Sequence, residues 1–499
     1  MELQFDKSVC HCMRQVAWEI QNQEQTQEVR LPDGLPDIGR VLTAWGQVIL
    51  RSKEWRGNGM SASGGVMARV MYAPEDDSEP RCIDTWIPFQ SKWDFPETER
   101  EGTIRVVPLL RGIDARTISA RKMMVRASIG VLGEALVPWE TEIFAPAELP
   151  EGVELLRHTY PLKLAMEAGE KAFLLDEELS LPASCPAADK IVHFEMQPQL
   201  QDQKVMAGRV VFRGTGLLHV LYRCQNGEYA AWDFEIPFSQ IGELEEETGT
   251  DAQARITIAV TSLELELSDD GVFRLKCGLV AQYVVCGVTM IELAEDAYSP
   301  CRNVSPKVQE LELPAVLDER MDMIPAEQVV PIEDGSVVDI NFLPDFPRCN
   351  RMDDRIEMEL PGIFQVLYAD NEGHLQGTSV RWNGNVEMNT GMETQTHLEI
   401  VPSGRAQVTA ASGTVAARGN VSLFLLTMSD KGLMMMSGME IGEKAESDAE
   451  RPSLILRRAG GEPLWDMAKR CGSTVAAIRQ ANAIEDEPAE GQMLLIPVQ

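Results

Sequence analysis

Gly65-Val66-Met67-Ala68-Arg69-Val70-Met71-Tyr72 decides the fold, because the chain writes this strand three times. It returns as Gly216-Leu217-Leu218-His219-Val220-Leu221-Tyr222 and again as Gly362-Ile363-Phe364-Gln365-Val366-Leu367-Tyr368. The tyrosines are 150 and 146 residues apart, and self-similarity at a steady period marks a repeated module. A polar turn follows each copy: Glu75-Asp76-Asp77, Gln225-Asn226-Gly227 and Asp370-Asn371-Glu372-Gly373. A tryptophan follows each turn, at Trp86, Trp232 and Trp382, leading into Ile87-Pro88-Phe89 and Ile236-Pro237-Phe238 in the first two copies. Val125, Leu275 and Val421 each stand 53 residues beyond their tyrosine, so the internal spacing repeats as well.

Around these strands the hydrophobic period is two. Arg255-Ile256-Thr257-Ile258-Ala259-Val260 and Leu263-Glu264-Leu265-Glu266-Leu267 alternate, and Asp269-Asp270-Gly271 is a hairpin signal. Strands with one apolar face must pack that face on another layer, and two stacked sheets are the simplest solution. The chain is therefore predicted to be mainly β, with three repeated β-sandwich-like units at 1–163, 164–306 and 307–443. Arg69, His219 and Gln365 share one position of the repeated strand, and polar residues of three kinds there predict its solvent face. The run 444–452, with five charged residues and no apolar periodicity, reads as a charged linker.

The period changes after it. Leu464, Met467, Ala468 and Cys471 follow i, i+3, i+4, i+7, one face of an α-helix. Pro463 suits the first helical position, Gly472 a left-handed C-cap, and Thr474 the cap of a second helix ending near Asn482. Leu454–Arg458 before them and Met493–Ile496 after them read as strands. Residues 453–499 are thus predicted to be a small α+β unit of order β-α-α-β.

A formal charge of −33 over 499 residues argues against nucleic acid or an anionic membrane as a direct partner, since phosphate binding needs clustered Lys and Arg. The acidic excess is most simply a solvated surface, and a basic protein stays open as a partner class. Met1-Glu2-Leu3-Gln4-Phe5-Asp6-Lys7 has no apolar signal core, and no run is apolar enough for a membrane span. Ten cysteines without paired short spacings read as reduced thiols, so a cytoplasmic location is expected.

No catalytic, cofactor or metal site is predicted. Nucleophile-elbow, phosphate-loop and zinc-protease motifs are all missing. His11, His158, His193, His219, His374 and His397 are scattered. Cys10-His11-Cys12 holds zinc-ligand types, but on a strand the thiols point to one face and the imidazole to the other. Two buried thiols are the expectation. Glu245-Glu246-Glu247 and Asp353-Asp354 lack calcium-loop spacing and read as solvated loop tips, while Met434-Met435-Met436 reads as strand core and edge.

Two resemblances follow from these residues. The C-terminal unit, through Gly461, Leu464-Trp465, Ala468, Asn482 and Gly491-Gln492-Met493-Leu494-Leu495-Ile496-Pro497, resembles the LysM domain. That resemblance implies a ligand groove made by the first turn (Gly461, Glu462, Pro463, Leu464, Trp465) and the loop after the second helix (Asn482, Ala483, Ile484). It departs from the family in having Gly461-Glu462-Pro463 for the usual Gly-Asp-Thr, which removes a hydroxyl from the groove, and Arg458 near the usual valine. The repeats, with Pro36-Asp37-Ile38, Asp189-Lys190-Ile191 and Asp339-Ile340 ahead of the Gly-to-Tyr strand, look like SPOCS domains of clostridial and bacillar sporulation proteins. Three such units before one LysM are similar to spore-coat morphogenetic proteins. The resemblance implies a non-enzymatic adaptor in the mother-cell cytoplasm at the forespore surface. Its LysM would dock to the SpoIVA-like morphogenetic ATPase of the coat basement layer, and it would meet other coat proteins. The alternative it carries is a cell-wall-associated protein binding peptidoglycan or another N-acetylglucosamine glycan.

Overall fold

The computed structural model describes residues 2–498 apart from 4, 77, 97–99, 147, 207, 246–248, 250, 333–334, 353, 391–393, 402, 412–413, 430 and 445–451. Most of the expected linker therefore lies outside the described residues, as do Glu246, Glu247 and Asp353 of the acidic clusters. The fold is mainly β, and the helices among the described residues are two short ones near the C-terminus.

A two-residue strand β1 (Glu2–Leu3) precedes six others: β2 (Phe5–Arg30), β3 (Ile38–Arg56), β4 (Gly59–Pro74), β5 (Arg81–Asp94), β6 (Thr103–Ser119) and β7 (Lys122–Pro146). These six form two antiparallel sheets, ordered β2-β7-β6 and β3-β4-β5. The next six repeat the scheme: β8 (Glu154–Ser180), β9 (Ala188–Met206), β10 (Arg209–Cys224), β11 (Tyr229–Glu243), β12 (Gln253–Leu267) and β13 (Val272–Tyr298) pair as β8-β13-β12 and β9-β10-β11. In the third segment some strands are broken: β14 (Arg302–Leu311), β15 (Val316–Val330), β16 (Ser336–Pro344), β17 (Arg348–Met352), β18 (Arg355–Ala369), β19 (Leu375–Asn389), β20 (Thr394–Val401), β21 (Gln407–Ala411), β22 (Thr414–Ser429) and β23 (Leu433–Lys444). Here β22 pairs with β15, β20 and β21, while β18 pairs with β16, β17 and β19. Alternation along each strand sends one set of side chains into a core shared by both sheets: Val70 and Val125 in the first segment, Val220 and Leu275 in the second, Val366 and Val421 in the third. The divisions 163/164 and 306/307 fall inside β8 and β14, because these strands run on beyond the segment cores.

That overrun builds a second region. The far ends of β2, β7, β8 and β13 pack against the β14–β23 pair, burying Cys10, Cys12, Leu164, Leu293, Leu311 and Met435 together. Both thiols are inside and His11 is exposed, as strand alternation requires. Met434 is half exposed while Met435 and Met436 are fully buried. In the third segment the break between β14 and β15 contains Pro314, which has no N–H to give to a sheet ladder.

The three segments meet at matching bulges. In each, the tyrosine strand and its partner slip by one residue beside the tyrosine, extruding Leu42, Val192 and Val338. Leu42 and Val192 join Trp45, Met71, Leu221, Leu367 and Leu375 in one buried cluster drawn from all three segments, with Val338 packed against it. The strand face expected to meet solvent lies here instead. Arg69 Nη1 donates to Val192 O at 2.9 Å, from the first segment to the second. His219 Nε2 lies 3.0 Å from Asp339 Oδ1, from the second to the third. Gln365 Nε2 reaches Ala44 O at 3.3 Å and Ile113 O at 3.1 Å, from the third back to the first. One repeated polar position thus closes a ring. The correction has a simple cause: it faces away from its own core, but toward the neighbouring segment's strand rather than water. Gly377 belongs to the last seam, where a Cβ would stand 1.6 Å from Leu42 O.

Candidate functional site

Two places concentrate functional chemistry, and the first is the seam between the second and third segments. Arg405 pairs with Glu195, donates to Asp339 Oδ1 at 3.1 Å, and donates to Ile340 O at 2.8 Å. His219 Nδ1 is 2.6 Å from Asp233 Oδ1. Burial works against a charge on His219, but the carboxylates of Asp339 and Asp233 outweigh it and push its pKa up to about 9. His193 stacks flat on Trp45 with ring centres 4.8 Å apart, and burial lowers its pKa. Beside these groups a cavity of about 170 Å³ lies between the segments, lined by Gln47, Glu195, Thr257, Asn341 and Arg405 among others. Its charged groups are spent on each other across the seam, which makes the network a joint between segments. Among the described residues no group of three His, Cys, Asp or Glu side chains could hold a metal ion.

The second place is the C-terminal unit, where the predicted groove residues lie. Strand β24 (Leu454–Arg458) pairs antiparallel with β25 (Met493–Pro497), and helices α1 (Leu464–Cys471) and α2 (Val475–Asn482) come between them in sequence. Pro463 is the N-cap of α1 rather than its first helical residue, and it supplies no side-chain cap. Glu487, from the loop after α2, does so: its Oε2 accepts from Leu464 N at 2.7 Å. Gly472 is left-handed at the end of α1, and the Thr474 hydroxyl accepts from Ala477 N at 3.1 Å to cap α2.

The eight residues expected to line the groove have different duties. Leu464 is fully buried in the unit's core. Glu462 pairs with Arg457 at 3.3 Å and with Arg470 at 2.5 Å. Asn482 is spent on the fold: its amide donates to Ile478 O at 2.8 Å and Leu495 O at 2.7 Å, and accepts from Leu495 N at 2.7 Å. Asn482→Ala is expected to cost the unit about 1–3 kcal/mol, since it leaves backbone groups of β25 unpaired. Faster amide exchange at Leu495 would register the loss. Gly461, Pro463 and Ala483 are exposed and Ile484 is half-buried; Ala483 carries a left-handed φ of 50°. The loop bearing Glu487 is joined to the first turn by this bond, which ties together the two segments expected to form the groove.

Trp465 is held from outside the unit. Its Nε1 donates to Asp296 Oδ2 at 2.8 Å, and Lys469 Nζ donates to both oxygens of the same carboxylate at 2.8 and 2.7 Å. Tyr298 meets the indole edge to face, with ring centres 4.7 Å apart. Asp296 and Tyr298 sit at the end of β13, about 170 residues earlier. Sequence reasoning missed both, as it missed Glu487. Ala294-Glu295-Asp296-Ala297-Tyr298 carries no motif, and a contact over that separation leaves no trace in local periodicity.

Residues 187–268, which run from the start of β9 to the end of β12, match the family model described as SipL, SPOCS domain. No curated protein matches the chain, and no solved structure matches it. The tyrosine strand of the second segment, with its bulge and its seam residue His219, thus lies inside the stretch that is similar to a SPOCS domain.

Proposed function

We propose that this chain is a non-enzymatic adaptor of spore-envelope assembly. In this reading all three segments are SPOCS units, at about 1–163, 164–306 and 307–443 up to the strand overruns, and residues 453–499 are a LysM-type head. The head docks to the morphogenetic ATPase of the coat basement layer at the forespore surface of the mother cell. The observation that carries the reading is the SPOCS match over residues 187–268, a module that points to a coat-related role in protein interaction. The ring agrees with it. Three segments closed on each other by Arg69, His219 and Gln365 form a scaffold that spaces surfaces, and tethering raises effective concentration without a tight single contact. No helix among the described residues is long and apolar enough to cross a membrane.

The head's chemistry supports a protein ligand over a sugar. Its first-turn N–H at Leu464 is taken by Glu487, and the Asn482 amide is consumed by β25. Capture of the basement-layer ATPase by the full chain and by a chain lacking 453–499 tests the reading. The expected result is loss of capture on deletion. Undiminished capture defeats the role given to the head, and retention on chitin oligomers or purified peptidoglycan by the full chain alone would move the assignment to glycan binding.

A further inference from the structure

Tyr298 belongs to the second segment by sequence and to the head by packing. It is 5 % exposed and lies in the same buried cluster as Leu464, Met467, Ala468 and Ile478. Asp296 and Tyr298 are two residues apart on a strand, which puts them on one face. Trp465 and Lys469 are four apart on a helix, which also puts them on one face. Strand and helix meet in register, carboxylate on indole N–H and ammonium, ring on indole edge. An extended segment reading acid-x-aromatic has thus been seated on α1 by the chain itself.

The seat does not fit its occupant fully. The Tyr298 hydroxyl is buried without a hydrogen-bond partner, and a buried hydroxyl in that state weakens whatever contact buries it. The same burial pushes its pKa upward. A phenylalanine at that point would fill the pocket with no such loss. The charged side is well matched, since Asp296 accepts three hydrogen bonds from the head.

We infer that the Trp465–Lys469 face of α1 is a receptor for an extended acidic segment of the form Asp/Glu-x-Phe on the head's protein partner, and that Asp296-x-Tyr298 is a built-in competitor holding it closed. This rests on the reading that the head docks a protein. A tethered competitor acts at high effective concentration, so it lowers the apparent affinity for any segment added in trans. The imperfect fit of Tyr298 is what lets a better-matched segment displace it. The closed state then belongs to the free chain and the open state to the bound one.

The test uses the full chain and a labelled peptide copying 293–299 with phenylalanine at the Tyr298 position. Peptide binding is expected to be about tenfold tighter to a D296A/Y298A chain than to the wild type, because the internal competitor is gone. It is expected to vanish from a D296A/Y298A chain that also carries Trp465→Ala. D296N is the milder variant: it keeps the shape of the latch, removes the charge facing Lys469, and should speed amide exchange across 464–471 several-fold. Equal peptide binding by wild type and D296A/Y298A, or unchanged exchange in D296N, overturns the inference. Capture of the basement-layer ATPase by the same chains separates the two readings. If D296A/Y298A gains peptide affinity without gaining ATPase capture, the latch stands and the named partner falls.

Discussion

Replacing Glu134 with leucine is expected to cost on the order of 3–5 kcal/mol, because it strands two buried guanidiniums. Glu134 is 1 % exposed. It accepts from Arg105 Nε at 2.6 Å, from Arg255 at 2.7 and 3.1 Å, and from Gln15 at 2.9 Å. Arg105 donates onward to Glu399 at 2.7 Å and Thr257 at 2.9 Å, so β6, β12 and β20, one strand from each segment, share the cluster. Trp18 lies under both guanidiniums, 5.2 and 5.3 Å from its ring centre. Two carboxylates balance two cations here, and deleting one leaves a net charge out of water. A urea midpoint well below that of the wild type registers the effect. The quadruple variant E134L/R105M/R255M/E399L is expected to recover much of the loss, because removing a buried ionic group whole, the buried Glu399 included, is far cheaper than breaking it. Burial opposes the charge on Glu134, but Arg255 and Arg105 outweigh it and hold its pKa to about 2. The folded value lies below the unfolded one of about 4.3, so this contribution is complete above that pH and disappears as pH falls through about 2.

The mainly β fold, the two head helices and the buried Cys10 and Cys12 were all legible, because each is written in local periodicity or capping residues. The seams were not. Arg69, His219 and Gln365 look solvent-facing since period two reports only that one strand face is apolar. It does not distinguish water from a neighbouring segment's backbone on the other. Arg105 hides in the same way: Thr103-Ile104-Arg105-Val106 reads as an ordinary strand with its charge outside, yet the residue is 2 % exposed. Chain spacing also overstated one match. Trp86, Trp232 and Trp382 stand opposite Met67, Val220 and Gly362, which are different rungs relative to their tyrosines. The tyrosines themselves are equivalent, since each sits beside the same bulge. In the head, Asn482 enters the expected groove only through the resemblance to the LysM domain. The sequence does not say that β25 takes both of its ends.

The joint between the second and third segments should make stability fall as pH rises from about 6.5 to about 8.5, below the range of the buried thiols, and His219 is the group that does it. It is buried, paired with Asp233, and 3.0 Å from Asp339, although its Nε2–H is not well aligned on that carboxylate. The folded pKa of about 9 lies above the unfolded value of about 6.5. Its contribution is therefore complete below about pH 6.5 and is lost as pH rises through about 9, a change on the order of 3 kcal/mol for such a shift. Denaturant midpoints measured from pH 6 to about pH 8 should decline in the wild type; above about pH 8.5 the thiols of Cys12, Cys277 and Cys286, whose pKa values burial raises, add an alkaline decline of their own. In H219Q the decline should flatten, because the neutral amide does not titrate. Asp339→Ala is the harsher change: it leaves His219 and Arg405 facing each other with Glu195 and Asp233 as remaining anions, and should cost on the order of 3–5 kcal/mol at neutral pH. In that variant the alkaline decline should also be smaller and end at lower pH, since the carboxylate that does most to raise the imidazole pKa is gone. E134L should leave the slope between pH 6 and 8 untouched, because His219 lies in a separate cluster with Asp233, Asp339 and Arg405. A decline between pH 6 and 8 that survives in H219Q would mean that another group carries it, and that the second and third segments are not joined through this histidine.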